Sequence, residues 1–128
     1  MKKKVLIVVS DYYKDISEAL LKSTKKFLNK KTDLKIIKVP GVFEIPVIIS
    51  RNIKKFDGFV AIGCVIRGKT AHFDLISKSV IDAIMNLSID NKKPVGNCIL
   101  TCFNYRQALE RKNKGKEAAF ALNSILYK

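Results

Sequence analysis

The residues best suited to do chemistry in this 128-residue chain cluster around its only histidine. Residues Gly63–Thr70 read G-C-V-I-R-G-K-T, which matches the phosphate-binding pattern G-x-x-x-x-G-K-[ST] of nucleotide hydrolases. His72 follows two residues later and could act as a base or proton shuttle. A Gly-Lys-Thr segment that opens a helix offers free N–H groups and a favourable helix dipole to an anion. The segment therefore predicts a phosphate site beside a proton-transferring group.

The match to a nucleotide hydrolase is weakened by the residues inside the motif. Cys64, Val65 and Ile66 favour extended backbone, whereas a loop that cradles phosphate must curl. One predicted strand follows the motif, and it ends without the Asp that such enzymes use to hold magnesium. A small nucleotide-dependent kinase or hydrolase nevertheless stays open as a second hypothesis, which binding of Mg-ATP would test.

Two further segments carry side chains that could contact a ligand. Tyr12 and Tyr13 follow the first apolar run and could stack on a planar heterocycle, or one of them could simply cover the core. Val42, Phe43 and Glu44 follow the second run, where the carboxylate could bind hydroxyl groups of a ligand or could cap a helix N-terminus.

Apolar runs of strand length alternate with helical periodicity along the chain. Strand patterns lie near 5–9, 34–39, 59–62 and 95–100, and helical patterns near 15–28, 46–55 and 70–87, with a broken helical tail after 101. Asp15 and Glu18 have the spacing of a capping box for the first helix. The alternation predicts a single α/β domain over residues 1–128.

The simplest topology for these elements is a flavodoxin-like three-layer sandwich around a four-stranded parallel sheet of order 2-1-3-4. In that order the chain direction reverses between strands 1 and 3. Ligands of such sheets bind at the reversal, beyond the carboxyl ends of the strands. We therefore expect the site to be formed by residues 10–14, by residues 63–71 after the third strand, and by their neighbours, with a loop at 63–68 that leads into the third helix.

The composition argues against several classes of protein. An apolar fraction of 48% with six Gly and three Pro is not that of a disordered chain, and no run approaches the ~20 apolar residues of a membrane span. The net charge of +14 suggests an anionic partner, but only four of the 25 basic residues are Arg, which nucleic-acid readers favour. The scattered lysines indicate a solvated surface and no nucleic-acid partner. A basic nucleic-acid-binding or shell-forming protein remains a third hypothesis.

The cysteines indicate a reducing compartment. Cys64, Cys98 and Cys102 are odd in number and form no C-x-x-C pair, which argues against both a zinc site and a disulfide framework. The basic start of the chain precedes only five apolar residues, fewer than the ~7–15 of a signal peptide. We expect a cytoplasmic protein without a metal.

Three motifs resemble the lumazine synthase family. Residues 39–46 read V-P-G-V-F-E-I-P, similar to that family's V-P-G-[AS]-[FY]-E-[IL]-P. Residues 63–74 read G-C-V-I-R-G-K-T-A-H-F-D, similar to its G-x-V-I-[RK]-G-x-T-x-H-[FY]-[DE], and residues 107–111 resemble its Q-A-x-x-R. The resemblance implies condensation of 5-amino-6-(D-ribitylamino)uracil with 3,4-dihydroxy-2-butanone 4-phosphate, without cofactor or metal.

The resemblance also implies a role for each matching residue. His72 matches the proton-transfer residue, and Lys69 and Thr70 match the contacts to the phosphate. Arg111 matches a phosphate-binding Arg contributed by the neighbouring subunit. The residues that match the pocket for ribitylaminouracil are Tyr12, Val42, Phe43, Glu44, Cys64, Val65 and Ile66, together with Asn97 where the family usually places a Phe from the adjacent subunit.

The family resemblance further implies a homo-oligomer with active sites between subunits. The family assembles as pentamers, some of which pack into sixty-subunit shells. Here the stretch 112–115 after Arg111 is shorter than usual, and the segment before the first strand is short. Both differences favour a bare pentamer.

Overall fold

Four parallel strands form one sheet in the order β2-β1-β3-β4, which confirms the predicted topology. The computed structural model describes residues 2–69 and 71–128. The strands are β1 (Lys4–Ser10), β2 (Asp33–Val39), β3 (Gly58–Ile66) and β4 (Val95–Cys102). The two central strands, β1 and β3, are almost wholly buried because helices cover both faces of the sheet.

In the part of the chain that the structure describes, five α-helices complete the three layers: α1 (Lys14–Phe27), α2 (Ile45–Arg51), α3 (His72–Asn91), α4 (Tyr105–Glu110) and α5 (Gly115–Leu126). Helices α1 and α5 cover one face, and α2 and α3 cover the other. A 3-10 turn, Val42–Glu44, precedes α2. Within residues 2–69 and 71–128, no helix has both the length and the apolar character needed to cross a bilayer.

Alternation along the strands divides the core in two. Val5, Ile7 and Val9 of β1 pack with α1 and α5, whereas Leu6 and Val8 pack with α2 and α3. Successive side chains of a strand point to opposite faces, so a strand buried on both faces must be apolar throughout. This requirement explains why the continuous apolar runs in the sequence identified the strands correctly.

Several predicted boundaries were wrong. β3 does not end at Ile62 but continues to Ile66, so Gly63–Ile66 is strand and not loop. α2 ends at Arg51 and not near 55, because Asn52 caps its last carbonyls and donates from Nδ2 to the Ile48 carbonyl at 2.8 Å. α3 begins at His72 and runs on to Asn91, where the left-handed Lys92 (φ 56°) ends it.

The predicted capping box of the first helix was also wrong. Tyr13 is the N-cap of α1, and no side chain there accepts a capping hydrogen bond. Asp15 instead lies inside the first turn, where its negative charge complements the helix dipole.

The close packing of α1 against α5 depends on a glycine at the start of α5. A Cβ placed on Gly115 would lie 2.5 Å from Thr24 Oγ1 and would also collide with Ser23 Oγ and the Leu20 carbonyl oxygen. Two of these contacts are with atoms of buried residues of α1, so the clash cannot be relieved by moving one flexible side chain.

We expect Gly115→Ala to lower the free energy of unfolding by about 1–3 kcal/mol, the usual cost of overpacking a core. The measurement is the urea midpoint at an unchanged m-value. Gly68→Ala is the matched control, because nothing lies within 4 Å of its added Cβ, and its effect should stay within about 0.5 kcal/mol. Equal midpoints for the two variants would contradict the packing argument.

Candidate functional site

A cavity of about 340 Å³ opens at the carboxyl ends of β1 and β3. This is the point at which the strand order reverses, where ligands of parallel sheets bind. The residues that line the cavity are Ser10, Tyr12, Tyr13, Gly41, Val42, Phe43, Cys64, Val65, Ile66, His72 and Ile76. The structure therefore brings together seven of the residues proposed from the sequence, from segments 60 residues apart.

One wall of the cavity is the 3-10 turn after β2. Glu44 Oε1 accepts a hydrogen bond from the Gly41 N–H at 3.0 Å, so the carboxylate caps this turn. Val42 packs down onto β3, where a Cβ on Gly63 would lie only 2.5 Å from Val42 Cγ1. Phe43 stays 63% exposed above it. Glu44 itself does not line the cavity, which agrees with the capping alternative.

An aromatic rim stands on the opposite side. Tyr12 is 74% exposed, and its ring contacts that of Tyr13 edge to face with centroids 4.9 Å apart. The Tyr13 ring lies 6.3 Å from that of Tyr105 at the start of α4. Desolvation raises the pKa of the Tyr13 phenol, and Tyr12 and Cys64 raise it further. Tyr13 is therefore a neutral hydrogen-bond donor at physiological pH.

The end of β3 forms the third wall of the cavity. Its backbone conformation shows whether residues 63–70 fold as the phosphate-binding loop of a nucleotide hydrolase. Cys64, Val65 and Ile66 are paired with Leu100, Thr101 and Cys102 of β4 in a regular parallel ladder. The pairing continues past the strand, because the Arg67 N–H donates to the Cys102 carbonyl at 2.8 Å. Backbone held in this way cannot curl its N–H groups around a phosphate. These residues favour extended backbone, as expected from the sequence, and the segment therefore does not fold as a phosphate-binding loop although it matches the pattern G-x-x-x-x-G-K-[ST].

His72 is the first residue of α3, and its exposed side chain lines the cavity. Lys69 is exposed in the connection between β3 and α3 and does not line the cavity. Thr70 lies outside the described residues. The early N–H groups of a helix lack intrahelical partners, so the start of α3 presents donors on the same side of the molecule as the imidazole.

Two of the proposed residues lie away from the cavity. Arg111 follows α4, where its Nη1 donates to the Gln107 carbonyl at 3.3 Å, and it lines a separate surface depression of about 310 Å³. Asn97 is exposed on β4, an edge strand, and its Oδ1 accepts from the Ile99 N–H at 3.0 Å. Within one chain, neither residue lines the cavity.

Three residues that line the cavity were not singled out from the sequence: Ser10, Gly41 and Ile76. Tyr13 also lines it, and the sequence had offered this residue, beside Tyr12, as one that stacks on a ligand or covers the core. Ser10 lies in the segment 10–14 that the sequence predicted to form part of the site, but no neighbouring residue in the sequence indicated that its side chain would line the cavity. Ile76 follows His72 by one helical turn, and this spacing was the signal that could have identified it. Within residues 2–69 and 71–128, no group of three or more His, Cys, Asp or Glu side chains could hold a metal ion.

Comparisons with known proteins agree with this geometry. A family model described as 6,7-dimethyl-8-ribityllumazine synthase matches residues 2–127. The protein of that name from Bartonella tribocorum is 44% identical over 94% of this chain and 87% of its own length. Those of Agrobacterium fabrum and Corynebacterium kroppenstedtii are 40% and 35% identical, over 95% and 92% of this chain and 91% and 79% of their own lengths. The chain belongs to the 6,7-dimethyl-8-ribityllumazine synthase family.

Membership of this family confirms the resemblance carried by the three motifs. It also explains why the motif at 63–70 imitates a nucleotide hydrolase without folding like one. In this lumazine synthase family member, the first half of the motif completes β3 and only the second half connects it to α3.

The thiol of Cys64 is part of the cavity wall but is poorly suited to act as a nucleophile. Burial first of all, together with the neighbouring thiol of Cys102, raises its pKa to about 12. The thiolate is the reactive form of cysteine, so at neutral pH only a very small fraction of Cys64 can react. Cys64 therefore shapes the pocket through packing.

We expect alkylation of Cys64 by iodoacetamide to remain slow at pH 7 and to accelerate about tenfold per pH unit up to pH 10, because the thiolate fraction keeps rising below a pKa of about 12. Peptide mapping by mass spectrometry resolves Cys64 from the other two cysteines. The same protein in urea serves as control, and its rate should level off above about pH 9. A plateau for the folded protein near that pH would contradict the proposed burial.

Proposed function

We propose that this chain condenses 5-amino-6-(D-ribitylamino)uracil with 3,4-dihydroxy-2-butanone 4-phosphate to give 6,7-dimethyl-8-ribityllumazine, phosphate and water, a step of riboflavin biosynthesis. The observation that carries the proposal is family membership over residues 2–127 together with a cavity that joins an aromatic rim to the only histidine. The whole chain, residues 1–128, then acts as one domain of this kind.

The pyrimidine is proposed to bind between Tyr12 and the wall formed by Val42 and Phe43. A flat heterocycle gains contact area from the exposed Tyr12 ring and from apolar side chains opposite to it. Cys64, Val65 and Ile66 contribute the floor. Glu44 and Asn97 are assigned to this substrate from the family pattern, Asn97 as a residue of the neighbouring subunit.

The phosphate of the second substrate is proposed to bind at the start of α3. Lys69 lies in the connection that leads into this helix, and Thr70 follows it in the sequence. The first N–H groups and the dipole of the helix favour an anion. Arg111 of an adjacent subunit would supply the bidentate charged contact that a phosphate prefers.

His72 is proposed to move the protons. The amine of the pyrimidine attacks the ketone carbonyl, and the loss of water that forms the imine requires a proton on the departing oxygen. Elimination of phosphate then requires removal of a proton from carbon. In ring closure the ribitylamino nitrogen attacks the remaining carbonyl carbon, and the oxygen of that carbonyl leaves as a second water after further proton transfer. One imidazole at the cavity mouth can accept and return these protons, so positioning and acid–base chemistry carry the reaction without a cofactor.

His72→Ala is expected to reduce turnover by about 10²–10⁴-fold, the usual contribution of a general acid–base group, with an unchanged thermal midpoint. The assay mixes the two substrates and follows lumazine fluorescence. Lys78→Ala is the control on the same helix, since its ammonium is exposed and pairs with Asp82 at 2.7 Å; it should leave turnover unchanged. Unaltered turnover in His72→Ala would remove this residue from the mechanism.

A homo-oligomer is also part of the proposal, with a pentamer as the basic unit and a sixty-subunit shell as its possible extension. α3 buries only Val80 and Ile84, while Leu75, Met85 and Ile89 leave large apolar side chains in solvent. Exposed apolar surface of this extent marks an interaction face. The open rim of the cavity is a second place that a neighbouring subunit would cover.

If each active site takes His72 from one subunit and Arg111 from its neighbour, two inactive variants should restore activity when their subunits assemble together. His72→Ala and Arg111→Ala should each be slow at low concentrations of the phosphate substrate, but a co-assembled mixture should regain about one quarter of the wild-type rate, because random neighbours create one intact site in four. The measurement is the rate after joint unfolding and refolding, compared with the two variants refolded apart and then mixed. No recovery would place Arg111 in its own subunit's site or outside the site altogether.

A reducing, cytoplasmic compartment completes the proposal, supported by three cysteines that are all unpaired and buried. The lysine-rich surface is taken as solvated, with small molecules and further copies of the chain as the partners.

A further inference from the structure

The most buried hydroxyl among the residues that line the cavity is that of Ser10. The residue is 1% exposed, and among residues 2–69 and 71–128 its Oγ has no hydrogen-bond partner. The other hydroxyl and imidazole groups of the cavity belong to Tyr12, Tyr13 and His72, which all retain solvent exposure. Ser10 is therefore the only polar side chain of the lining that is both fully buried and unpaired.

The fold holds the Ser10 side chain against the cavity. Ser10 ends β1 two residues beyond Val8, so its side chain leaves the same face of the sheet as Val8, toward the 3-10 turn. A Cβ on Gly63 would lie 3.3 Å from Ser10 Cβ and 2.5 Å from Val42 Cγ1. Gly63 and the apolar side chain of Val42 therefore lie close to the Ser10 side chain.

The hydrogen bond between Ser17 and Ser10 leaves the Ser10 hydroxyl without a partner among the described residues. The Ser17 hydroxyl of α1 donates to the Ser10 backbone carbonyl and not to its side chain. That bond ties the end of β1 to α1 and fixes the backbone from which Oγ projects. A buried hydroxyl without a partner is costly in a folded protein, so its presence in a ligand cavity points to a partner supplied by the ligand.

We propose that the Ser10 hydroxyl is a specificity-determining residue that hydrogen-bonds to the polar edge of the pyrimidine ring. This assignment rests on the proposed function. A hydroxyl can both donate and accept, so it can pair with a ring carbonyl, a ring N–H or an amino group. Val42, Phe43, Val65 and Ile66 supply apolar surface beside it in the cavity lining, and a planar ring is the part of the two substrates that packs against such surface. The phosphate substrate binds toward the start of α3.

The test is steady-state kinetics of Ser10→Ala. We expect the KM for the pyrimidine substrate to rise about three- to tenfold, the loss of one neutral hydrogen bond. The kcat and the KM for the phosphate substrate should not change, because the contact is made equally in ground and transition states. The thermal midpoint should stay the same or rise, since the variant removes an unpaired buried hydroxyl.

Ser77→Ala is the matched control. Its Oγ is the other buried hydroxyl without a partner in the described residues, but Ser77 does not line the cavity. It should leave both KM values unchanged. An unchanged pyrimidine KM in Ser10→Ala, a change confined to the phosphate substrate, or equal effects of the two variants would each overturn the assignment.

Calorimetry separates this proposal from the proposed function. If the wild-type protein forms lumazine and Ser10→Ala binds ribitylaminouracil as tightly as wild type, the Ser10 assignment fails and the function stands. If the wild-type protein forms no lumazine, the function fails. Binding of ribitylaminouracil alone to wild type, weakened in Ser10→Ala and not in Ser77→Ala, would still support the hydrogen bond; absence of binding to wild type would overturn it.

Discussion

The pairing of β1 with β3 is the contact on which the rest of the molecule depends. These two strands carry the reversal of strand order, so the connections that leave them diverge to opposite faces of the sheet and leave a crevice between them. Ser10 ends one strand and Cys64–Ile66 end the other. Ser10, Cys64, Val65 and Ile66 all line the cavity from these strand ends.

Close approach at Gly63 sets the shape of that crevice. Because Gly63 has no Cβ, Val42 can descend onto β3, and the 3-10 turn then brings Phe43 over the cavity opposite Tyr12. Glu44 is used to hold this turn through the Gly41 N–H. Close backbone packing at Gly63 and capping of the turn by Glu44 thus form this wall of the pocket. The positions of the side chains that line it follow from that packing.

The predictions from the sequence agree best with the structure where burial requires a regular pattern of apolar residues. The four strands and their order follow from apolar runs and from the handedness of crossovers, and both were predicted. The predicted boundaries were wrong where a local interaction ended or extended an element. Asn52 caps α2, so the helix ends before the predicted residue 55. Hydrogen bonds to β4 extend β3 through Gly63–Ile66, which the sequence predicted to be a loop. Ser10 could not be singled out, because an unpaired hydroxyl is a property of surroundings that the chain assembles from distant segments.

The amino-acid sequence by itself determined the α/β architecture, the family and the position of the histidine at the start of a helix, since each depends on local order along the chain. Only the tertiary structure decided that Arg111 and Asn97 lie away from the cavity, that the phosphate-loop motif is half strand, and that the Ser10 hydroxyl is buried without a partner among the described residues. These facts depend on distances between residues far apart in sequence, which spacing along the chain does not specify.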